Sequence, residues 1–371
     1  MNPLVSNPRL SPAMFFVLLL VSLSGLDFLT TPYDVAKVCG PSAHWAILGS
    51  WILILPLIGL MILFKNRFPE ENLLLAATRV LGKPLAMAGN MLFLSVFLIW
   101  LIVVIPNAGY LISTYLLDRT PILVIEVALL MAIGYIAING LKSVCRMAAF
   151  IVIPTIAFRL FMKTMSLQNV SITYLLPLFS NHPWSYLNGA LATFSQFLPL
   201  SSVFLIYPLL KKPSKLGMIT LGAASAGTII VLLGVIGTIG IFSAPVTERF
   251  SWPNLEAVHT LSVPYLVMEQ FGLLFIIVWL TMFFIGTSFY FNLVADGLKQ
   301  QIPVLNYRYT VLGLLILVGV GGFVIFPNIY RVNSAFTTLR HFAILPTVVY
   351  PLIIYGIDLL KGKRGQQKCK V

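Results

Sequence analysis

Charged residues are scarce in this chain of 371 residues. Asp, Glu, Lys and Arg together make up 9% of it, whereas hydrophobic residues make up 59%. Soluble domains carry about 25% charged residues, because charge keeps their surfaces in contact with water. The composition therefore excludes a soluble globular domain and indicates a protein that lies mostly within a membrane.

Cysteine and histidine are also rare, with three and four residues respectively. Cys39, Cys145 and Cys369 lie far apart without metal-ligand spacing, and an odd number cannot form a complete disulfide framework. The sequence contains no nucleophile elbow, no HExxH and no phosphate-binding GxxxxGK. Nothing in it favours an enzyme, a metal site or a cofactor. Because the phosphate-binding loop of ATP-driven transporters is missing, any transport by this chain alone would be ion-coupled or passive.

The apolar residues form long stretches, each of about the 20 residues that a helix needs to cross a bilayer. The sequence predicts an all-α integral membrane protein with ten spans, at 12–38, 44–64, 85–116, 122–138, 145–162, 184–210, 216–242, 270–293, 309–327 and 341–360. We expect a single domain over 1–371, with an N-terminal segment 1–11, a bundle 12–360 and a basic tail 361–371. The first span is expected to remain as an uncleaved signal anchor.

Basic residues are distributed unevenly between the two sides of these spans. With both termini on one side, that side receives 17 of the 24 Lys and Arg residues and the other side receives seven. Such a bias predicts that both termini are cytoplasmic. The basic residues lack the aromatic-basic motifs of nucleic-acid modules, so the expected partner is the lipid bilayer and not nucleic acid.

Two of the spans are interrupted by residues that weaken a membrane helix. The first contains SLSGLDFLTTP at 22–32, and the sixth contains ATFSQFLPLSSVFLIYP at 192–208, with Pro199 in its middle. These spans hold matching places in two sets of five, which is typical of transporters built from inverted repeats with a ligand site at the bilayer midplane. The alternative is that Pro199 only kinks its helix and that the serines bond to their own helical carbonyls.

Asp27 lies within the first break and is the strongest candidate for a functional residue. An Asp at mid-membrane costs about 2.5–3.5 kcal/mol on insertion scales, so such residues usually mark a pathway. Asp27 would bind a ligand ammonium, hold a cation or carry a proton; alternatively it is protonated and bonded to backbone or to Ser24. Glu126 is expected to reach the interface or to pair with Arg119, and Arg159 is expected to reach the interface.

Further polar residues occur within the spans and in one loop. Asn107 and Tyr110 in the third span, and Thr287 and Ser288 in the eighth, either complete a site beside the broken spans or bond to neighbouring helices. The stretch NLEAVHTL at 254–261 predicts a short amphipathic helix at the outer surface.

The sequence resembles the GerB-type spore germination permeases, the B subunits of germinant receptors within the amino acid/polyamine/organocation transporter superfamily. The resemblance rests on SLSGLDFLTTPYDVAKVCGPSAHWAI, on FLIYPLLKKPSKLG after the sixth span, on SWPNLEAVHTLSVPYLVMEQFGLLFIIVWL before and within the eighth, and on the short basic C-terminus. It implies a ten-helix bundle of the LeuT type in the inner membrane of a bacterial spore.

The resemblance also implies a site and partners. The ligand, a small germinant such as an amino acid, would lie against Ser24, Gly25 and the turn to Phe28; the acid at Asp27 is not a feature that the resemblance requires. Thr287 and Ser288 would lie opposite, and Gln196, Phe197 and Pro199 would form the other wall. An A subunit and a lipoprotein C subunit would be the protein partners. An autonomous ion-coupled amino-acid transporter and a conduit for ions or water are the alternatives, because a fold does not determine a function.

Overall fold

The computed structural model describes residues 9–23, 25, 27–179, 182–261 and 271–368. Within these residues the chain forms sixteen α-helices, joined by short 3-10 and π-helical turns. The prediction of an all-α protein is therefore confirmed.

The first half of the chain contains five of the predicted spans and one helix that was not predicted. The helices are α1 (Pro12–Leu23), α2 (Asp27–Cys39), α3 (His44–Arg67), α4 (Leu73–Leu81), α5 (Lys83–Tyr115), α6 (Ile122–Ile138) and α7 (Leu141–Ser166). Helices α1 and α2 form the first span, which bends by 53° at its break. The unpredicted helix is α4, which is too short to cross a membrane.

The second half begins with the other broken span. It consists of α8 (Pro183–Phe194), a 3-10 stretch (Ser195–Ser202), α9 (Val203–Ile206) and a last 3-10 turn (Tyr207–Leu209), and it bends by 43°. The remaining helices are α10 (Leu216–Phe242), α11 (Ala244–Thr247), α12 (Pro253–His259), α13 (Phe271–Gln301), α14 (Tyr307–Ile325), α15 (Ile329–Ile344) and α16 (Tyr350–Lys368).

Ten stretches of the described chain correspond to the ten predicted spans. Seven are apolar helices of at least 18 residues, two are the bent pairs, and the last is α6 with 17 residues. The tenth span runs from Phe342 to Lys361 and joins α15 to α16 through a π-helical turn. Because α16 continues to Lys368, much of the predicted tail 361–371 extends the last helix.

Helix α13 lies at the centre of the bundle. It packs against α5, α6, α7 and α14, and its Gly286 approaches the end of α1, where a Cβ would lie 3.5 Å from the carbonyl oxygen of Val21. The small residue allows α13 to come close to the first broken span. The centre of the bundle is therefore the place where α13 meets the first break.

We call the side where α1 begins and α16 ends the terminal face, and the opposite side the distal face. On the terminal face, the backbone N–H of Leu10 donates to the carbonyl of Leu209 at 2.6 Å, and the N–H of Lys211 donates to the carbonyl of Leu10 at 2.9 Å. These two bonds form a parallel β-bridge. This N-terminal clasp joins the start of the first broken span to the end of the second.

Helix α4 closes the terminal face beside the clasp. It begins at Asn72, whose side-chain oxygen accepts from the N–H of Leu75 at 3.1 Å, as expected for an Asn N-cap. The Asn72 amide also donates to Gln300 of α13 at 2.9 Å. The hydroxyl of Tyr207 donates to carbonyls of the loop that precedes α4, those of Phe68 and Glu71. The end of the second broken span is thus fixed to the loop that precedes α4.

The stretch NLEAVHTL forms a helix, as predicted, but not one that lies on the membrane surface. Most of α12 is buried, including Leu255 and Val258, and it packs against α2, α10 and α13. We correct the expectation of an amphipathic surface helix, because α12 lies within the distal end of the bundle and covers the region above the first break.

Candidate functional site

The two broken spans meet near the middle of the bundle. Helix α1 packs against the 3-10 stretch 195–202 of the second broken span. Gly25 lies in the first break, and a Cβ added to it would lie 3.6 Å from the indole edge of Trp100 on α5. Trp100 is therefore the neighbour that limits space at Gly25.

Aromatic rings line the α5 and α13 side of the first break. The ring centroid of Tyr290 lies 4.7 Å from that of Trp100 and 5.6 Å from that of Phe97. The Tyr290 hydroxyl donates to the carbonyl of Ser22, in the last turn of α1, at 3.3 Å. A helix that ends at membrane depth leaves carbonyls without helical partners, and Tyr290 satisfies one of them.

Five buried polar atoms on α5, α13 and the 3-10 stretch have no hydrogen-bond partner among the residues described. They are Nε1 of Trp100 and Nδ2 of Asn107 on α5, Nε1 of Trp279 and Oγ1 of Thr287 on α13, and Oγ of Ser202 in the 3-10 stretch. Native proteins rarely leave buried polar atoms unpaired, and such atoms usually bond to water or to a ligand.

The residues predicted to form the second wall of the ligand site are buried in the second broken span. Gln196, Phe197 and Pro199 all lie in the 3-10 stretch, and Gln196 is 7% exposed. An eight-residue 3-10 run is unusually long, because its hydrogen bonds are poorer than those of an α-helix. The break is therefore an extended change of helix type and not a single kink at Pro199.

Other predicted site residues form hydrogen bonds with neighbouring elements. The Ser288 hydroxyl donates to the carbonyl of Ile133 on α6 at 3.1 Å, and the Tyr110 hydroxyl donates to that of Phe326 at 3.1 Å. The side-chain oxygen of Asn107 accepts from the indole N–H of Trp252 at 3.0 Å. Thus Thr287 has an unpaired hydroxyl among the described residues, whereas its neighbour Ser288 bonds across to α6.

The side chains of two predicted site residues, Ser24 and Asp27, are not described by the structure. Ser24 lies outside the described residues, and of Asp27 the structure describes only the backbone, which begins α2. Phe28, in the first turn of α2, is buried and faces α7. The roles given to Ser24 and Asp27 stay predictions.

Asn254 of α12 joins four elements at the distal end of the site. Its amide donates to the carbonyl of Phe28 at 2.6 Å, and its side-chain oxygen accepts from the ammonium of Lys163 at 2.9 Å and the hydroxyl of Thr238 at 3.2 Å. Pro32 has no N–H to offer the carbonyl of Phe28, four residues earlier. Asn254 therefore supplies the donor that Pro32 lacks.

Arg159 and Lys163 of α7 were not predicted as site residues. Arg159 is 5% exposed, which corrects the expectation that it reaches the interface. Its guanidinium lies 4.9 Å from the ring centroid of Phe28, and the ammonium of Lys163 lies 5.8 Å from the same centroid. The two cations are four residues apart, so they share one helix face. That spacing at the end of an apolar span was the available sequence signal.

Glu126 also differs from its prediction. It is 3% exposed, and the described chain contains no ion pair between it and Arg119. Its Cγ packs close to Gly109, where a Cβ would lie 3.1 Å away. The absence of a side chain at Gly109 gives Glu126 room between α5 and α6, so it does not reach the membrane surface.

In the portions of the chain that the structure covers, no three His, Cys, Asp or Glu side chains come together as a metal site would require. What the site offers is indole, hydroxyl and amide groups, with two cations at its distal end. Those groups bind small polar molecules by hydrogen bonds and charge.

Solved structures of transporters have the same architecture. MhsT in complex with L-phenylalanine matches 93% of this chain and 97% of its own, at 14% identity and a TM-score of 0.66. MHP1, a nucleobase-cation-symport-1 family transporter solved closed with bromovinylhydantoin bound, matches 96% of this chain and 80% of its own at 13% identity, with a TM-score of 0.69. These similarities confirm the predicted LeuT-type fold.

Curated relatives come from Bacillus subtilis (strain 168). Spore germination protein B2 is 21% identical over 365 residues, covering 97% of this chain and 98% of its own. Spore germination protein YndE is 23% identical over 299 residues, covering 79% and 81%. The family model described as spore germination protein matches residues 9–329. The chain is a multi-pass integral membrane protein and belongs to this spore germination protein family.

Proposed function

We propose that this chain is the membrane-embedded B subunit of a spore germinant receptor. A small germinant, such as an amino acid, binds between the two broken spans and triggers germination. The observation that supports the proposal is the unpaired buried N–H of Trp100, whose ring lies against Gly25 in the first break, together with the unpaired hydroxyls of Thr287 on α13 and Ser202 in the second broken span, among the described residues. A ligand with hydrogen-bonding groups would satisfy them.

The family and the fold support this function. Its curated relatives are spore germination proteins, and MhsT, with the same fold, is described in complex with L-phenylalanine. In the proposed receptor the terminal face is cytoplasmic, the membrane is the inner membrane of the spore, and the A and C subunits detect the ligand-dependent state. Ligand binding shifts the bundle only by its differential affinity for the two states.

The test is ligand binding by the purified chain, alone and with its A and C subunits. A panel of amino acids and sugars is screened by the shift in unfolding temperature, because a ligand at 100 times its Kd stabilises the folded state by about 2.7 kcal/mol. For each compound that stabilises the protein, we expect Trp100→Phe to weaken binding about tenfold, since it keeps the ring but removes the N–H.

Trp184→Phe is the matched control, because Trp184 is exposed on α8. It should leave binding unchanged. The proposal fails if no compound in the panel stabilises the wild-type protein in either preparation, or if the Trp100 and Trp184 variants bind equally well.

An autonomous ion-coupled amino-acid transporter is the second candidate, favoured because the solved structures of this fold are transporters. Transport through this fold requires the terminal face to open, and the N-terminal clasp would then have to separate. A disulfide between Leu10→Cys and Leu210→Cys would hold the clasp closed. Uptake of labelled amino acid into vesicles that stops on oxidation supports the transporter, whereas a germination response that survives oxidation supports the receptor.

A further inference from the structure

A buried carboxyl group lies on α6, outside the proposed ligand site. Glu126 is 3% exposed and lies one turn inside the distal end of this helix. A Cβ added to Gly109 of α5 would lie 3.1 Å from the Cγ of Glu126 and 3.6 Å from its Oε1. The carboxyl group therefore packs against the backbone of α5, between two membrane spans.

No cation of the described chain pairs with this carboxyl group. Helices α5, α7, α13 and α14 pack against α6. None of their cationic residues forms an ion pair with Glu126, since the two ion pairs among the described residues, Arg67–Asp358 and Arg79–Glu71, lie on the terminal face. Those cationic residues are Lys83, Lys142, Arg146, Arg159, Lys163, Lys299 and Arg308.

Hydrogen bonds do not stabilise a charge on Glu126 either. Within the described ranges, no group donates a hydrogen bond to its carboxyl oxygens. Tyr110 of α5 is the ionisable neighbour that faces Glu126, and its hydroxyl donates to the carbonyl of Phe326 instead. An isolated carboxylate is so costly to bury that such a group takes up a proton and becomes neutral.

Glu126 also lines a groove between α6 and α14, with a volume of about 430 Å³. The other lining residues are apolar, among them Val127 and Met131 of α6 and Ile316 and Phe323 of α14. These four side chains are exposed, so the groove lies on the outer surface of the bundle, where a membrane protein meets hydrocarbon. Neither water nor a dissolved cation therefore reaches Glu126 from this side.

We propose that Glu126 is a proton-binding site. In the described conformation its carboxyl group is neutral and holds the proton. When α5 and α6 separate enough to admit water, the O–H bond breaks, its electron pair stays on the carboxylate, and the proton passes to a water molecule. States in which this contact is open bind one proton fewer, so at a pH where only those states are ionised their share rises about tenfold for each pH unit. The inference depends neither on the ligand nor on the proposed receptor function.

Infrared spectroscopy of the purified full-length chain tests for the proton directly. The detergent must lack ester groups, because the carbonyl of an ester absorbs close to that of a carboxylic acid. At neutral pH the wild-type protein should show a carboxylic-acid C=O band that moves when the side-chain carboxyl of glutamate carries carbon-13. Glu126→Gln should remove that band, whereas Glu70→Gln, at an exposed position of the terminal face, should leave it unchanged.

The dependence of stability on pH gives a second measurement. Glutamate in an unfolded chain ionises at about pH 4.3. Above that pH the folded protein holds one proton more than the unfolded chain, so its free energy of unfolding falls as the pH rises, until the folded protein also releases the proton. Between about pH 5 and about pH 8, the unfolding temperature of the wild type should therefore fall more steeply than that of Glu126→Gln. Glu70→Gln should follow the wild type.

A further variant keeps the test decisive if Glu126→Gln does not fold. Gly109→Ala places a Cβ 3.1 Å from the Cγ of Glu126, so it should displace the carboxyl group and shift the band that carbon-13 moves. Gly59→Ala on α3 is its control and should leave the band in place, because no atom lies within 4 Å of the added Cβ.

The proposal is overturned if the wild type shows no carboxylic-acid band from glutamate at neutral pH, or if Glu126→Gln keeps that band. Equal slopes of unfolding temperature against pH in the wild type and Glu126→Gln would also overturn it, because folding would then retain no proton at Glu126. None of these results touches the proposed ligand site, which rests on Trp100, Thr287 and Ser202.

Discussion

At the scale of single residues, Asn254 shows how a buried amide compensates for a proline. Pro32 lies inside α2 and leaves the carbonyl of Phe28 without a helical donor. The Asn254 amide provides that donor from another element, at 2.6 Å. An unpaired carbonyl at membrane depth would cost far more than the same carbonyl in water. Asn254 is therefore a structural requirement created by Pro32.

This relationship predicts a coupled pair of substitutions. Asn254→Leu should lower the free energy of unfolding by about 1–3 kcal/mol, because it leaves the Phe28 carbonyl unpaired. In a Pro32→Ala background the loss should be smaller, since the alanine provides an N–H for that carbonyl. Apparent unfolding temperatures of the four proteins in detergent give the coupling. Asn188→Leu, at an exposed position on α8, is the control, and strictly additive effects would contradict the explanation.

A second prediction concerns Gly234 of α10. A Cβ at this position would lie 2.9 Å from the side-chain oxygen of Asn254 and 3.0 Å from its nitrogen. Gly234→Ala should therefore displace Asn254 and speed hydrogen exchange in 253–259. Gly313→Ala on α14 is the matched control, because no atom lies within 4 Å of its added Cβ. If the amide hydrogens of α12 exchange equally slowly in both variants, Asn254 does not hold α12 in place.

At the scale of elements, the broken spans were predictable and their contacts were not. Proline, glycine and serine in 22–32 and 192–208 interrupt long apolar runs, so composition alone located both breaks. The bounds of α6 and α10 were also predictable, because polar residues flank each of these helices. The neighbours of each break depend on packing between segments far apart in the chain, as with Trp100 beside Gly25.

Short elements account for most of the errors. Helix α4 has only nine residues and lies in a polar connection, so no long apolar run indicated it. Helix α12 was predicted, but its burial was not, since Glu256 and His259 give it the appearance of a surface helix. Glu256 accepts from the Tyr115 hydroxyl, and His259 stacks on the Tyr115 ring. A partner on α5 thus holds the polar residues of a helix whose apolar residues are buried, an arrangement that sequence alone does not show.

At the scale of the whole molecule, the broken spans are held to other elements on both faces. The N-terminal clasp joins them on the terminal face, and on the distal face Trp252 bonds to Asn107 while Asn254 of α12 bonds to Phe28. A bundle that alternates between states would have to release one of these contacts before a ligand could enter. We therefore expect the proposed site to be closed to both faces in the described conformation.

A site closed to both faces predicts how a cysteine placed in it will react. Thr287→Cys, in a background without the three native cysteines, should resist a membrane-impermeant maleimide added to either face. Asp118→Cys and Lys212→Cys lie on exposed loops of the distal and terminal faces, and both should label rapidly. Labelling of the cysteine introduced at Thr287 at the rate of either control would show that the site is open to that face.

The N-terminal clasp has a consequence for how this family is studied by mutation. Both of its hydrogen bonds join backbone atoms, so the contact survives almost any change of side chain at position 10. An alanine scan would report the loss of a buried leucine there and would not detect the clasp. Leu10→Pro removes the N–H that Leu209 accepts while keeping an apolar side chain. Any residue with a backbone N–H at position 10 can keep both hydrogen bonds between the two broken spans, whereas the packing of this buried leucine depends on its side chain.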